Sequence, residues 1–199
     1  MTMLADVPRE TQERIAALKA LVVEENGRQN LISAATIEAF EERHIADSLQ
    51  LLALLPGGPM LDIGSGGGFP GLVLACTSTR VVHLVEPRSK RAAFLQSAAD
   101  ALGIAGHVHV HAKKVERVEL PPVAAITARA VANLDTLFTI ALHLSDENTR
   151  WVLPKGQSAA SELAEARRTW QGEFRLISSV TDAQAAIVIA EGVRRRRAR

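Results

Sequence analysis

Apolar residues recur along this chain with two different periods, and the switching between them predicts its layout. Over 8–25, Ile15, Leu18 and Val22 fall at helical spacing with charges between them. Around 36–55, Ile45, Leu49 and Leu52 keep that period until Pro56-Gly57-Gly58-Pro59 stops it. A short apolar run then reaches Asp62, and from there strands and helices alternate. Val81–Val85 reads as a strand and 88–102 as a helix through Phe94, Leu95, Ala98 and Leu102, with Gly103 placed to end it. Val108 and Val110 mark a third strand and Val123–Thr127 a fourth. Asn133 is placed to cap a helix carrying Leu134, Leu137, Phe138, Ala141 and Leu142. Trp151–Leu153 is a short strand and Ser158–Trp170 a helix. Two last strands, near 173–180 and 185–190, have no helix between them, as in a hairpin.

Such alternation implies an α/β fold, a mostly parallel sheet covered on both faces, and the helix-free final pair implies an antiparallel edge strand. The expected architecture is a Rossmann-like core of seven strands with an N-terminal helical extension. We divide it as extension 1–56, core 57–192 and tail 193–199, all within a single domain; 199 residues are enough to bury a proper core. In such sheets ligands sit beyond the carboxyl ends of the strands, where strand order reverses. The first strand ends at Asp62, so the site is expected there.

Composition narrows the classes. A hydrophobic content of 47% beside 23% charged residues is ordinary for a globular protein. No run approaches ~18 uninterrupted apolar residues, so no membrane partner is expected. The N-terminus lacks a basic region followed by an apolar core, so secretion is not indicated. A single cysteine, Cys76, excludes an internal disulfide and fits a reducing, cytoplasmic location. It reads as a small buried residue rather than a nucleophile. A net charge of +1 conceals the ending Arg194-Arg195-Arg196-Arg197-Ala198-Arg199, which suits either a polyanion or a solvated tail. His107, His109 and His111 alternate on one strand face, but no carboxylate or cysteine stands at matching spacing, so no metal is expected.

The chemistry concentrates in Met60-Leu61-Asp62-Ile63-Gly64-Ser65-Gly66-Gly67-Gly68-Phe69-Pro70-Gly71. A strand ends in a carboxylate and runs into five glycines, which let a ligand approach the backbone and tolerate φ > 0. Pro70 suits the first turn of the next helix. Asp62 favours a ligand bearing positive charge or hydroxyls over one presenting bare phosphates. Gly66, Gly68 and Gly71 also satisfy G-x-G-x-x-G, and the acid Glu86 follows ~20 residues on, as a dinucleotide site asks. Against that stand the acid before the glycines and the lack of a second nucleotide-binding half. Glu86, ending the second strand, can accept hydrogen bonds from both ribose hydroxyls of an adenosine, which serves NAD and S-adenosylmethionine alike. Val115 and Glu116 follow the third strand and could flank an adenine ring. Loop and acid together look like the first motif of S-adenosylmethionine-dependent methyltransferases. Lys90, Arg91, Lys113, Lys114, Arg129 and Lys155 are the basic residues near the expected mouth, placed to contact the phosphates of a substrate. His44 and Asp47, one helical turn apart, read as a packing pair.

Asn30-Leu31-Ile32-Ser33, Arg43-His44-Ile45-Ala46-Asp47-Ser48-Leu49, the glycine loop with its Phe69-Pro70-Gly71 ending, Lys90-Arg91-Ala92-Ala93-Phe94-Leu95, Ala128-Arg129-Ala130 and Pro154-Lys155-Gly156 form an ordered series. That series resembles the glucose-inhibited division protein B family, the N7-guanine methyltransferases of 16S ribosomal RNA. The resemblance implies S-adenosylmethionine as cofactor, with donor contacts at Gly64, Phe69, Val115, Glu116 and Arg129. It also implies the small ribosomal subunit or an assembly intermediate as partner, and the 530 loop as target. The chain departs from the family at Gln29, where an aromatic is common, and at Ala124, where an aspartate often lies. Guanine N7 carries a lone pair and no proton, so no acid–base residue is assigned. Arg129 and Lys155 are candidates for positioning only. A methyltransferase for a small molecule or protein, a non-catalytic RNA-binding assembly protein and an NAD-dependent oxidoreductase are the other readings.

Overall fold

The alternation of strand and helix folds into one seven-stranded sheet in the order β3-β2-β1-β4-β5-β7-β6. The computed structural model describes residues 3–197. Helix α1 (Arg9–Gln29) buries Ile15, Leu18 and Val22 and ends at Asn30 in the left-handed region. The segment expected as a single helix over 36–55 is instead broken. It comprises α2 (Ala34–Glu38), a π-helical turn over Glu41–Ala46, α3 (Asp47–Leu49) and a 3₁₀ turn over Leu52–Leu54. A π turn fits an extra residue into the coil and rotates the next turn, and such turns gather at functional sites. Here the rotation keeps Ile45 and Leu49 buried while Arg43, His44 and Asp47 line a cavity.

The core follows as β1 (Met60–Ile63), α4 (Gly71–Cys76), β2 (Val82–Val85), α5 (Ser89–Ala101), β3 (Val108–His111), β4 (Ala125–Ala128), α6 (Leu134–Ala141), β5 (Arg150–Lys155), α7 (Ala159–Thr169), β6 (Trp170–Ser178) and β7 (Ala186–Arg195). Two expected caps are present: Asn133 accepts the Thr136 N–H at 2.9 Å, and Gly103 sits at φ +68° just past the end of α5. Pro70 precedes α4 rather than entering its first turn.

Strands β1 to β5 pair in parallel, and β7 runs antiparallel to both its neighbours. The expected antiparallel strand is therefore β7, seated one place in from the edge with β6 outside it. Burial decides this placement. Ile187–Ala190 is a continuous buried run that needs cover on both faces, whereas β6 is exposed at most of its positions and carries Glu173 and Arg175. Alternate strand residues feed two cores. Met60, Val82, Leu84 and Ala125 pack with α1, α4 and α5. Leu61, Val85, Ile126 and Trp151 pack with α6 and α7. Strand order reverses between β1, paired with β2, and β4 on its other side, so a crevice opens at their carboxyl ends. Among the described residues, no helix is long and apolar enough to cross a membrane.

Candidate functional site

A cavity of about 810 Å³ opens at that reversal, within the range of small-molecule sites. One wall is the glycine loop after β1, where Gly64, Gly66 and Gly68 all take positive φ. The Gly64 and Ser65 N–H groups donate to the Val85 carbonyl, tying the loop to the end of β2. A Cβ on Gly66 would meet nothing nearer than 3.7 Å, so that position is open toward the cavity. A Cβ on Gly71 would lie 2.3 Å from Leu84 Cδ2 and 2.7 Å from Asp62 Oδ2, so here glycine serves helix–strand packing.

Asp62 does not face the cavity. It is fully buried and accepts hydrogen bonds from the Gly71 N–H (3.2 Å) and the Thr127 hydroxyl (2.9 Å). Burial pushes its carboxyl up to about 6. The residue expected as a ligand contact is thus a brace that joins loop, α4 and β4. Glu86 is buried and holds the same loop from the other side, accepting the Gly66 N–H (3.1 Å) and the Arg88 N–H (2.9 Å). One bond to each oxygen leaves further lone pairs on both.

Arg129 follows β4 directly and is the hub of the opposite wall. Its guanidinium donates to the Arg43 carbonyl (2.7 Å), Asp47 Oδ2 (3.1 Å) and His44 Nδ1 (3.0 Å), and lies 5.4 Å over the Phe69 ring. Phe69 is further packed by stacked His44 at 4.6 Å and edge-on Phe40. His44 and Asp47, expected to pair with each other, meet through Arg129 instead. Ala130 beside it takes φ +55°, a conformation costly for a residue with a Cβ.

Lys155 turns inward. Its ammonium donates to the Ala132 carbonyl and pairs with Glu162 at 3.0 Å, so it holds a wall rather than reaching out to phosphate. Burial raises Glu162, but hydrogen bonds from Ser158 and Lys155 outweigh it and hold the carboxyl below its ordinary value. Each carboxylate that lines the cavity is ion-paired: Asp47 with Arg129, Glu162 with Lys155, Asp182 with Arg43. Arg91 lines it with no carboxylate partner among the described residues, donating to the Asn30 carbonyl.

The remaining expected residues lie outside the lining. Gly68 backs onto Leu72. Val115 is buried in the core on the α6 side, and Glu116 beside it is exposed, both beyond the carboxyl end of β3. Lys113 and Lys114 are exposed on that loop, and Lys90 faces a groove between α1 and α5. Cys76 is buried and its thiol is pushed up to about 12, inert as a nucleophile. Among the described residues no group of three His, Cys, Asp or Glu side chains is arranged to hold a metal. The hairpin expected between the last two strands is present, and its connection adds what chain order did not suggest: Thr181, Asp182 and Ala185 complete the cavity. Its one sequence signal was the polar run Ser178-Ser179-Val180-Thr181-Asp182.

A reversed parallel sheet with a glycine loop at the switch point and an acid ending the next strand defines a Rossmann-like methyltransferase fold. Solved structures share it: the O-methyltransferase from Bacillus cereus in complex with SAH (TM-score 0.58, 16% identity, 88% of this chain and 90% of that one) and a fibrillarin/Nop5p complex (TM-score 0.58, 13% identity, 76% and 82%). The family model for rRNA small subunit methyltransferase G matches residues 11–188, and the chain belongs to that family. The ribosomal RNA small subunit methyltransferase G of Rhizorhabdus wittichii is 46% identical over 194 residues, covering 96% of this chain and 89% of the relative. Its counterpart from Zymomonas mobilis is 43% identical, covering 92% and 87%. Membership displaces the dinucleotide reading of the glycine loop.

Proposed function

We propose that this chain is a cytoplasmic, S-adenosylmethionine-dependent methyltransferase acting on N7 of a guanine in 16S ribosomal RNA, within the small subunit or an assembly intermediate. The observation that carries the reading is the state of the cavity's acids. Among the described residues, each acid that lines the cavity stands beside a cation: Asp47 with Arg129 and Glu162 with Lys155 in closely held pairs, Asp182 with Arg43 in an exposed one. His44 already accepts from Arg129 at Nδ1, and burial followed by the Arg129 charge hold its pKa down to about 4. Such a lining favours an acceptor that brings no proton to be removed. It suits guanine N7, which brings a lone pair and no proton.

S-adenosylmethionine supplies an electrophilic methyl on a sulfonium. The residues present fit such a ligand: Gly66 leaves the backbone open, Gly64 and Phe69 line the cavity beside Arg129, and Glu86 keeps lone pairs for ribose hydroxyls. Asp62 and Glu86 fix the loop that would hold it, with Val115 and Glu116 on the flank. Catalysis then rests on positioning, which is worth up to ~7–11 kcal/mol when reactants are well oriented. Arg91, Lys113 and Lys114 are assigned to RNA phosphates, and Arg129 and Lys155 to holding the acceptor wall. Supporting this reading over a small-molecule substrate is the family itself, whose curated relatives are named for ribosomal RNA. The experiment is tritiated methyl transfer from S-adenosylmethionine to 16S RNA, free and in 30S particles, followed by mapping of the labelled base. Label at a guanine N7 is expected; label only in protein or metabolite would refute the assignment.

A further inference from the structure

The arginine-rich end of the chain sits far from the cavity, and β7 measures how far. Ala186 pairs with Lys155 at the cavity end of β5, while Arg195 pairs with Trp170 at the start of β6. Ala185, one residue before β7, lines the cavity itself. Ten residues of strand at about 3.3 Å each place the arginines roughly 30 Å from the mouth.

They are anchored there. The Arg196 N–H donates to the Thr169 carbonyl (2.9 Å) and its Nε to the Trp170 carbonyl (3.2 Å), while the Arg195 guanidinium lies 5.1 Å over the Trp170 ring. Arg167 and Arg168, in the last turn of α7, join them around the same junction. Arg194, Arg195, Arg196 and Arg197 are all exposed, and none has a carboxylate partner among the described residues. The acids nearby are otherwise engaged or apart: Glu165 pairs with Arg168, and Glu191 with Arg150 and Arg175, while Glu173 faces Glu191 across the ladder. Arg199 lies outside the described residues.

Arg194 to Arg197 put four exposed like charges close together along the chain, and cation–π contact and backbone bonds fix Arg195 and Arg196 in place. A guanidinium fork matches phosphate oxygens in pairs. Among the described residues, no large exposed apolar side chain accompanies the cluster to enter a bilayer; the exposed ones are Val23, Val81, Val131, Leu176 and Val180. We propose that this end of the molecule is a second docking surface for the phosphate backbone of the substrate RNA, engaging a segment roughly 30 Å from the guanine in the cavity. The proposal rests on small-subunit RNA being the substrate. It makes recognition bipartite: the cavity takes one base, and the arginines select an RNA folded so that a second backbone segment lies at that distance.

The test uses the full chain with Arg194→Gln and Arg197→Gln together, which leaves the two Trp170-anchored arginines in place. Direct RNA binding and methyl transfer are measured against salt for full-length 16S RNA and for a short hairpin carrying only the target loop. Loss of two phosphate contacts lowers the slope of log affinity against log salt by about 1.4–1.8 and weakens binding of the long RNA roughly tenfold at moderate salt. Binding of the short hairpin and of S-adenosylmethionine stays unchanged, and Arg194→Lys with Arg197→Lys recovers most of the loss. An unchanged salt slope on the long RNA, or an equal loss on the short hairpin, overturns the docking surface. So does charge-dependent binding to phosphatidylserine vesicles with RNA affinity untouched. A wild-type chain that binds long RNA through these arginines but methylates none of it counts instead against the substrate reading.

Discussion

The guanidinium of Arg129 stands 3.0 Å from Nδ1 of His44. A guanidinium only donates, so the imidazole accepts there and carries its proton on Nε2, which is buried with no hydrogen-bond partner. This contact adds to the burial that keeps His44 neutral, and it holds Arg129 against Phe69. With Arg129→Ala, the His44 pKa is expected to rise from about 4 while burial still holds it below 6.5, read by NMR titration of the ring. Methyl transfer should fall about 100-fold through lost orientation, while stability falls by only about 1–3 kcal/mol. A loss of transfer that merely tracks the unfolded fraction would make Arg129 structural.

The same contact predicts a pH dependence. His44 has a folded pKa depressed from 6.5 to about 4, so between those values the unfolded chain binds the extra proton. Its contribution to stability is complete above 6.5 and drains away as pH falls toward 4, by at most about 3 kcal/mol. His83, also depressed to about 4, acts with the same sign. In His44→Asn, whose Oδ1 can accept from Arg129, part of that acid slope in urea unfolding should vanish and the His83 part remain.

Asp62 titrates in the opposite sense. Its folded pKa is raised from 3.8 to about 6, so the folded chain holds the proton longer, and stability drops as pH rises through that window. Relative to wild type, Asp62→Asn should gain up to about 3 kcal/mol between pH 4 and pH 7, on top of a constant offset from altered hydrogen bonds. Chemical denaturation of the pair across that range reads the difference; a gap independent of pH would show that folding leaves the Asp62 pKa unshifted.

Two glycines in the loop should fail differently. Gly71→Ala drives a methyl into Leu84 and Asp62 and is expected to destabilise the fold by about 3 kcal/mol or more, with little soluble protein. Gly66→Ala meets open space at φ +55°, costing only about 1–2 kcal/mol of backbone strain, yet it fills the face offered to the donor. Calorimetry with S-adenosylmethionine should show Gly66→Ala folded and at least tenfold weaker in binding.

Gln50 links the acceptor wall to the β6–β7 hairpin. Its amide donates to Asp47 Oδ1 (2.8 Å), and its carbonyl accepts the Val180 N–H (3.0 Å); the Thr181 hydroxyl also donates to Asp47 Oδ1 (3.0 Å). With Gln50→Ala the 179–185 segment should exchange its amide hydrogens faster. The KM for RNA should rise about tenfold with donor affinity unchanged, since an unpinned wall no longer presents an ordered surface.

The strands were legible because each core strand is an apolar run bounded by turn residues, and Asn133 and Gly103 announce their caps by residue type alone. The glycine loop was legible for the same reason: its backbone conformation needs those residues. Less of the site could be read. Asp62 looked like a ligand contact because chain order places it beside the loop, and only the approach of Gly71 and Thr127 shows that its carboxylate is spent on bracing. Lys155 looked like a phosphate contact until Glu162 and the Ala132 carbonyl came to meet it.

What the sequence by itself determined is local: periodicity, caps, the glycine loop and the acids near the carboxyl ends of β1 and β2 each arise from constraints spanning a few residues. The tertiary structure decided which of β6 and β7 takes the inner position, how the π turn aims Arg43, His44 and Asp47, and how Arg129 gathers partners more than eighty residues away. Those outcomes depend on burial and charge pairing between segments that chain order keeps apart, and such energies exist only once the sheet has brought the segments together.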